Sequence, residues 1–552
     1  MIPQVDLRKP EEVMKLSRLG SLHQSRISFM RVLLRRLASE NWHFDKPNWN
    51  IDDDGFGYAT YSVHGPERSY TLVAFAHDLP AELRSDRVIA EAWDCTFTLH
   101  DGIPSEDDII RLKNNVPLQE AGRISKNELT LSRANRSVRL WNYVVDSLAA
   151  GIQPDEKKLN DVGYLMRTTA VYGSGKFGAS DRSKISDRQE MRTPFQAEML
   201  TVYLIRCFVM DLVDFVASKK GGDAAVKLDP KLRKSMGIGN STGLGMAPFL
   251  VNHPALLSTW IYARETALAR VRAIKTVPEE TFSEMREHLN NALKNARSWT
   301  SEHEIQKPKI KIFCDELSQV VSKFETLDKE NYPWDALHLW STNKLSEDTQ
   351  EQIISALFEP YSELVDDLSD CMYIDEAKHF KIDASISTDE LKKQIKENYE
   401  WAINIDYSKK ENQSRFWYVS ESKLEPRLGE RFEEDGSELE QPLAVARDIA
   451  ALNSDLNKKQ NLGEFLLAHP EHRHIVRRIQ LSKKFPYSEI RDNLLNSKML
   501  PIDMLRCKLS FFGATKFDPR SDRWVRICMF KDAPFPEELT NKDNWSYGAH
   551  AC

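Results

Sequence analysis

One apolar run constrains the fold of this chain more than any other part of it. Residues 199–216 read "MLTVYLIRCFVMDLVDFV", which is almost long enough to cross a bilayer. The run carries Arg206, Asp211 and Asp214, however, and charges are costly inside a membrane. We therefore expect a buried helix of a soluble protein. A buried unpaired charge is also very costly, so we expect Arg206 to form an ion pair, or else to face a substrate.

The rest of the chain is predicted to be mostly helical. Glycine is scarce, at 22 of 552 residues, and apolar residues recur at helical spacing through most segments. Segments rich in β-branched and aromatic residues predict an antiparallel meander at 57–63, 68–77 and 87–99. Two more such segments, joined by "DPRS", predict a hairpin near the end of the chain. The predicted fold class is mostly α with smaller antiparallel β elements (α+β), a multi-lobed helical protein with an N-terminal β meander and a C-terminal β hairpin.

A chain of 552 residues is too long for a single hydrophobic core, so we expect several lobes. Changes in composition along the sequence indicate their boundaries. A helix is predicted at 132–150, where Arg133, Arg136 and Arg139 follow one ridge at i, i+3 spacing. Four domains are predicted: an N-terminal α+β domain with the sheet (1–130), a central helical domain (131–278), a charged helical lobe (279–406) and a C-terminal α+β domain (407–552).

Two glycine-rich stretches stand out in the central domain. The first, residues 237–245, holds four glycines with Asn240, Ser241 and Thr242, and it is predicted to be a loop. The second, "YGSGKFGASDR" at 172–182, follows Tyr164 and Arg167. The first lacks a preceding strand in "VKLDPKLRKSM", so a dinucleotide-binding turn is not favoured. The second lacks the first glycine and the Ser or Thr of a phosphate-binding P-loop.

An anion site is the function that these stretches favour. Successive glycines can turn backbone N–H groups toward a negative group, and guanidinium groups bind carboxylate or phosphate through two hydrogen bonds. Hydroxyl, imidazole and amine groups nearby can move a proton. The alternative is that both stretches are tight crossings where only glycine fits. The predicted substrate-binding residues are Gly237, Gly239, Asn240, Gly243, Arg136, Tyr172, Arg427 and Arg431, and the predicted catalytic residues are Ser241, Thr242, His253 and Lys176.

The stretch "GNSTGLGMAPFLVNHP", residues 239–254, also resembles a family feature. Its order of Gly, Ser, Met, Pro, Asn and Pro is similar to the glycine- and serine-rich loop of the fumarase and aspartase class. The spacing differs, the lysine of that loop is missing, and the class's other signature regions do not appear. The resemblance implies a lyase-like reaction with Ser241 or Thr242 near the chemistry.

Other features exclude some classes of site and partner. The histidines of "HPEHRHIVRR", residues 469–478, have no cysteine or paired carboxylate beside them in sequence, so no metal site is predicted. Seven scattered cysteines without a C-x-x-C pair are typical of a reduced, cytoplasmic protein. A net charge of -7 and an isoelectric point near 6.1 argue against nucleic acid as a partner.

Three functions remain open from the sequence. The first is a cytoplasmic enzyme that acts on a small anionic metabolite by proton transfer, as a lyase or a hydrolase, with no cofactor, no nucleic acid and no membrane. The second is a non-catalytic helical scaffold or regulatory protein. A homo-oligomer is expected in either case, and the scaffold would oligomerise through the charged helical lobe. The third is a flavin-type oxidoreductase, because the composition is compatible with flavin packing without indicating it.

Overall fold

A mostly antiparallel sheet and a larger number of helices make up the part of the chain that the structure describes. The computed structural model describes residues 6–80, 92–117, 125, 127–168, 185, 187–242, 250, 253–302, 304, 306–372, 380–409, 417–419, 424–426, 445–491, 506–518 and 525–540. Within these residues the sheet has nine strands. The arrangement confirms the α+β class that the sequence predicts.

The sheet joins strands from distant parts of the chain. Its order is β1-β2-β3-β4-β5-β6-β7-β11-β10, and each neighbouring pair is antiparallel except β6 and β7, which are parallel. Two short strands, β8 and β9, pair separately. The strands are β1 His43–Ile51, β2 Gly57–His64, β3 Ser69–Ala76, β4 Cys95–Asp101, β5 Glu128–Arg136, β6 Tyr164–Thr168, β7 Gly237–Thr242, β8 Trp417–Val419, β9 Leu424–Pro426, β10 Ala514–Asp518 and β11 Val525–Met529.

Helices flank the sheet and form the rest of the described chain. The α-helices are α1 Pro10–Val13, α2 Phe29–Ser39, α3 Glu106–Asn115, α4 Trp141–Ala149, α5 Glu156–Val162, α6 Gln196–Gly221, α7 Pro230–Lys234, α8 Pro254–Arg272, α9 Glu279–Arg297, α10 Gln306–Phe324, α11 Pro333–Lys344, α12 Glu347–Leu357, α13 Ser362–Val365, α14 Thr388–Ile403, α15 Val445–Asp455, α16 Leu462–Ala468 and α17 Arg473–Lys484. None of them combines the length and the apolar character that crossing a membrane would require.

The apolar run forms α6, a long helix that packs across one face of the sheet. Thr201 on this helix hydrogen-bonds to Thr130 of β5, with 2.7 Å between their Oγ1 atoms. Phe208 contacts the rings of Tyr61 on β2 and Phe97 on β4 edge to face. The expectation of a buried helix is therefore confirmed. On the opposite face, α3 packs against β3 and β5 through a smaller apolar cluster.

The prediction that Arg206 forms an ion pair with a carboxylate is wrong. Its guanidinium donates to three backbone carbonyls, of Met236 at 2.8 Å and of Lys234 and Ala533 at 2.9 Å, and stacks on the Phe535 ring. Carbonyl oxygens satisfy the donors of a buried guanidinium as a carboxylate would. Arg206 therefore ties α6 to the segments that follow α7 and β11.

The predicted helix at 132–150 is also wrong in its first part. Residues up to Arg136 belong to β5, and the helix, α4, begins at Trp141. Side chains alternate between the two faces of a strand, so Arg133 and Arg136 point to opposite faces rather than along one ridge. The predicted helix start at His253 and Pro254 and the helices within 279–406 are confirmed in the described residues. The C-terminal hairpin is confirmed in part, because the first half of its first predicted segment, "RCKLSFFGATKF", forms a π-helical turn and the strand begins at Ala514.

The division into four domains stays a prediction, but the sheet crosses its boundaries. Strands β1 to β4 come from the first predicted domain, β5 crosses the boundary at residue 130, β6 and β7 come from the second domain, and β10 and β11 come from the fourth. The C-terminal hairpin extends the N-terminal sheet because β11 pairs with β7. Strands from the N-terminal and C-terminal parts of the described chain thus belong to one sheet.

Two glycines allow β7 to fit between β6 and β11. A Cβ atom at Gly237 would lie 2.3 Å from the carbonyl oxygen of Met529 and 2.7 Å from Sγ of Cys528. A Cβ atom at Gly239 would lie 2.6 Å from Cγ of Tyr164. Both distances are far inside van der Waals contact, so a larger residue would push the strands apart.

We expect Gly237→Ala to destabilise the protein by about 1–3 kcal/mol, because its methyl group meets backbone atoms of β11 that cannot move alone. Gly102→Asn is the control. A Cβ atom there meets nothing within 4 Å, and asparagine tolerates its φ of +81° better than other residues do. Urea denaturation followed by tryptophan fluorescence measures both changes. Equal stability of Gly237→Ala and the wild type would contradict the packing argument.

Candidate functional site

The candidate site lies where two parallel strands end side by side. Strands β6 and β7 pair in parallel, with Tyr164 opposite Gly237 and Arg167 opposite Gly239. Their last residues, Thr168 and Thr242, therefore lie at the same edge of the sheet. Ligands of sheets with parallel strands bind outside the carboxyl ends of those strands. We call this place the β6/β7 edge.

Each strand at the β6/β7 edge is followed in sequence by a glycine-rich segment. Residues 169–184 follow Thr168, and residues 243–249 follow Thr242. The predicted site residues Gly243, Tyr172 and Lys176 belong to these segments and lie outside the described residues, as do Arg427 and Arg431. The described strands show that both segments start from one edge.

The predicted loop at 237–242 is a strand. Gly237, Gly239, Asn240, Ser241 and Thr242 all lie on β7, which pairs with β6 on one side and with β11 on the other. The backbone of these residues is engaged in strand pairing, and the two glycines serve close packing. The prediction that no strand precedes the stretch is confirmed, because the residues before it contain α7 and the strand begins at Gly237 itself.

Asn240 connects polar groups at the β6/β7 edge. Its Nδ2 donates to Oγ1 of Thr168 at 3.1 Å, and its Oδ1 accepts from Nζ of Lys508 at 3.4 Å. All three side chains are buried. Lys508 begins a π-helical turn, Lys508–Phe512, a distortion that occurs frequently at functional sites. Burial lowers the pKa of Lys508 to about 8, so a fraction of its amine is neutral near neutral pH.

Arginines gather on one face of the sheet at the β6/β7 edge. Arg167 pairs with Gly239, and Arg526 of β11 pairs with Ser241, two residues further along β7. Arg167 also pairs with Asn135 of β5, so Arg133, two residues before Asn135, shares that face. Arg167 is 2 % exposed, and Arg133 lies 3.9 Å from the centre of the Trp93 ring. We call Arg133, Arg167 and Arg526 the arginine face.

The structure places Arg136 on the opposite face of the sheet from the arginine face. Its guanidinium stacks on Trp141 at 4.8 Å and lies 3.9 Å from the carboxylate of Asp94. It also donates to the carbonyl of Gly55 at 3.4 Å. Arg136 thus has structural contacts away from the arginine face. His253 occupies the N-cap position of α8, where its side chain makes no capping hydrogen bond.

His77 is a candidate proton-transfer group that the sequence analysis missed. It follows β3, and its Nε2 lies 2.8 Å from Oγ1 of Thr96, which pairs with Arg133. Burial lowers the pKa of His77, so its ring is neutral at neutral pH and can accept a proton. A histidine as the last residue of a predicted strand is a position that would have justified attention.

A cavity of about 460 Å³ lies elsewhere, beside β1, β2 and α6. Its charged groups compensate one another, since Asp211 accepts from Arg233 and from Tyr61 at 2.8 Å each and from Lys46 at 3.1 Å. Burial raises the pKa of the Cys207 thiol in its wall to about 12, so this thiol stays protonated. We consider this cavity a weaker candidate, because its charges are already paired.

Comparison of the chain with family models, with curated proteins and with solved structures finds no match.

We expect Lys508→Met to change how stability depends on pH. The folded-state pKa of about 8 lies below the ordinary value of 10.5. Between these values the unfolded chain holds a proton that the folded chain lacks, so wild-type stability rises with pH relative to the variant. Urea denaturation at about pH 7 and about pH 9.5 gives this difference.

Lys113→Met, at an exposed lysine of α3, is the control and should follow the wild type. If the free energies of unfolding of the wild type and Lys508→Met differ by the same amount at both pH values, folding does not lower the pKa of Lys508.

Proposed function

We propose that this chain is an enzyme that binds a small metabolite bearing a carboxylate or phosphate group at the β6/β7 edge. The observation that carries the proposal is topological. Two glycine-rich segments, 169–184 and 243–249, follow neighbouring parallel strands whose carboxyl ends lie at one edge. Glycine-rich backbone at such an edge is a recurrent way of holding an anion.

The charge at this edge supports an anionic ligand. The arginine face offers planar guanidinium groups, which bind carboxylate and phosphate with matched geometry. Arg167 is buried, and Arg133 and Arg526 are half-buried, so their charges act in surroundings where electrostatic attraction is stronger than in water. Lys508 lies on the other face of the sheet, because its partner Asn240 alternates with Gly239 and Ser241 along β7. The ligand's negative group would lie against the arginine face.

Proton transfer of the lyase or hydrolase type is the chemistry that the neighbouring groups can perform. His77 hydrogen-bonds to Thr96, which shares the face of Arg133, and its imidazole can act as a base there. Ser241, Thr242, His253 and Lys176 stay proposed contributors from the sequence. A cytoplasmic location and homo-oligomers formed through α9 to α14 are likewise proposals.

The direct test is thermal stabilisation of the full chain by a panel of phosphates, monocarboxylates and dicarboxylates. A ligand at about 100 times its Kd adds about 2.7 kcal/mol, which raises the Tm of a cooperative chain of this size by about 2 °C. Arg133→Gln and Arg526→Gln should each weaken binding of the stabilising anion about 10- to 100-fold, because each removes a charge-assisted hydrogen bond.

Arg136→Gln is the matched control, because Arg136 lies on the same strand as Arg133 and also stacks on a tryptophan, but on the opposite face. It should keep wild-type affinity once each variant is compared with its own ligand-free Tm. Unchanged affinity in Arg133→Gln and Arg526→Gln would place the ligand elsewhere. If no anion stabilises the wild type, the non-catalytic scaffold becomes the better account, and an absorbance spectrum decides the flavin alternative.

A further inference from the structure

A second cluster of chemically competent side chains lies far from the sheet in sequence, in a helical unit with its own apolar core. This core is formed by α14, α15, α16 and α17. Asp455 is the last residue of α15, and His469 and His472 lie in the short turn between α16 and α17. The turn therefore brings two imidazoles to the end of a neighbouring helix.

The three side chains converge. One ligand atom from each of Asp455, His469 and His472 lies within 4.8 Å of the others. Nε2 of His472 and Oδ2 of Asp455 are 2.8 Å apart. The side chain of His472 is 7 % exposed, whereas those of His469 and Asp455 are 40 % and 46 % exposed. One side of the cluster is thus fixed in the protein and the other is open to water.

Packing and a neighbouring carboxylate orient the imidazoles. The Phe465 ring stacks on His469 at 4.8 Å and on His472 at 5.9 Å between centroids. Oε1 of Glu471 lies 3.1 Å from Nδ1 of His469. A carboxylate that accepts from one nitrogen of a histidine is the usual neighbour of a metal-ligating imidazole, because it fixes the ring and raises its basicity.

We propose that Asp455, His469 and His472 bind a divalent metal ion of the zinc type, with water in the open coordination position. Two imidazoles and a carboxylate are ligands that Zn²⁺ accepts, and three protein ligands with an open position form a known class of zinc site. The sequence predicts no metal site at these histidines, and this proposal departs from that prediction. The carboxylate that sequence reasoning lacked comes from α15.

The same two helices offer a comparison. His474 of α17 pairs with Asp448 of α15, with 3.0 Å between Nε2 and Oδ2. This pair is also a histidine and an aspartate, but in the described part of the chain no second imidazole joins it in a metal-ligating group. Substitutions of His474 and Asp448 therefore serve as controls that distinguish a metal site from an ordinary histidine–carboxylate pair.

The metal would join the end of α15 to the start of α17. Ions that bind only the folded state stabilise it, so Zn²⁺ should make this unit harder to unfold. The proposal does not depend on the β6/β7 edge, because it uses different residues and a different ligand.

The test is titration of the full-length protein with Zn²⁺ alone, in competition with a chelating dye. We expect one site per chain that Asp455→Asn and His469→Ala each weaken at least about 10-fold, since each removes a direct ligand. Both residues are partly exposed, so the variants should fold, which circular dichroism checks. Glu471→Gln should weaken binding less, because Glu471 acts through His469.

His474→Ala and Asp448→Asn are the controls and should bind Zn²⁺ as the wild type does. Failure of the wild type to bind Zn²⁺ would overturn the proposal. So would binding that is unchanged in Asp455→Asn and His469→Ala, which would mean that the chain's cysteines or other histidines hold the ion. An equal loss in the control variants would also overturn it.

Discussion

The close packing of β7 between β6 and β11 is the constraint on which the rest of the structure depends. It is possible because Gly237 and Gly239 have no side chains to collide with β11 and the Tyr164 ring. Through this strand the N-terminal meander continues into the C-terminal hairpin, and residues far apart in sequence share one sheet. The same strand makes the parallel pair with β6, so the strand ends that precede the two glycine-rich segments lie at one edge. The glycines of this stretch thus have two roles, packing within β7 and a proposed binding role beyond it.

Local patterns predicted the elements whose own sequences decide their structure. The strands β2 and β3 are rich in β-branched and aromatic residues, α6 contains a long apolar run, and the proline at the start of α8 favours a helix. The prediction failed for β5 and β7, because pairing with the neighbouring strands, rather than their own sequences, determines that these residues form strands. Glycine is a poor strand former, so nothing local in β7 indicates extended structure. Its strand exists because neighbours on both sides supply the hydrogen bonds.

The sequence could predict only those parts of the candidate site that lie close together along the chain. The sequence singled out both glycine-rich stretches and the arginines near them. It could not indicate that Arg526 and Lys508 reach the same edge, because the long helical stretch from α8 to α17 separates them from β7 along the chain. Arg136 was grouped with Arg133 because a helical period was assumed, and a strand period separates them. The zinc-type cluster shows the same limit, since Asp455 comes from a different helix.

The central claim is that both glycine-rich segments contact one anionic ligand at the β6/β7 edge. Hydrogen–deuterium exchange of the full chain, with and without the anion that raises its Tm most, tests it directly. The account predicts slower exchange in 169–184 and in 243–249 together, because one ligand would order both. Protection confined to one of these segments, or to the cavity beside Tyr61 and Asp211, would contradict it.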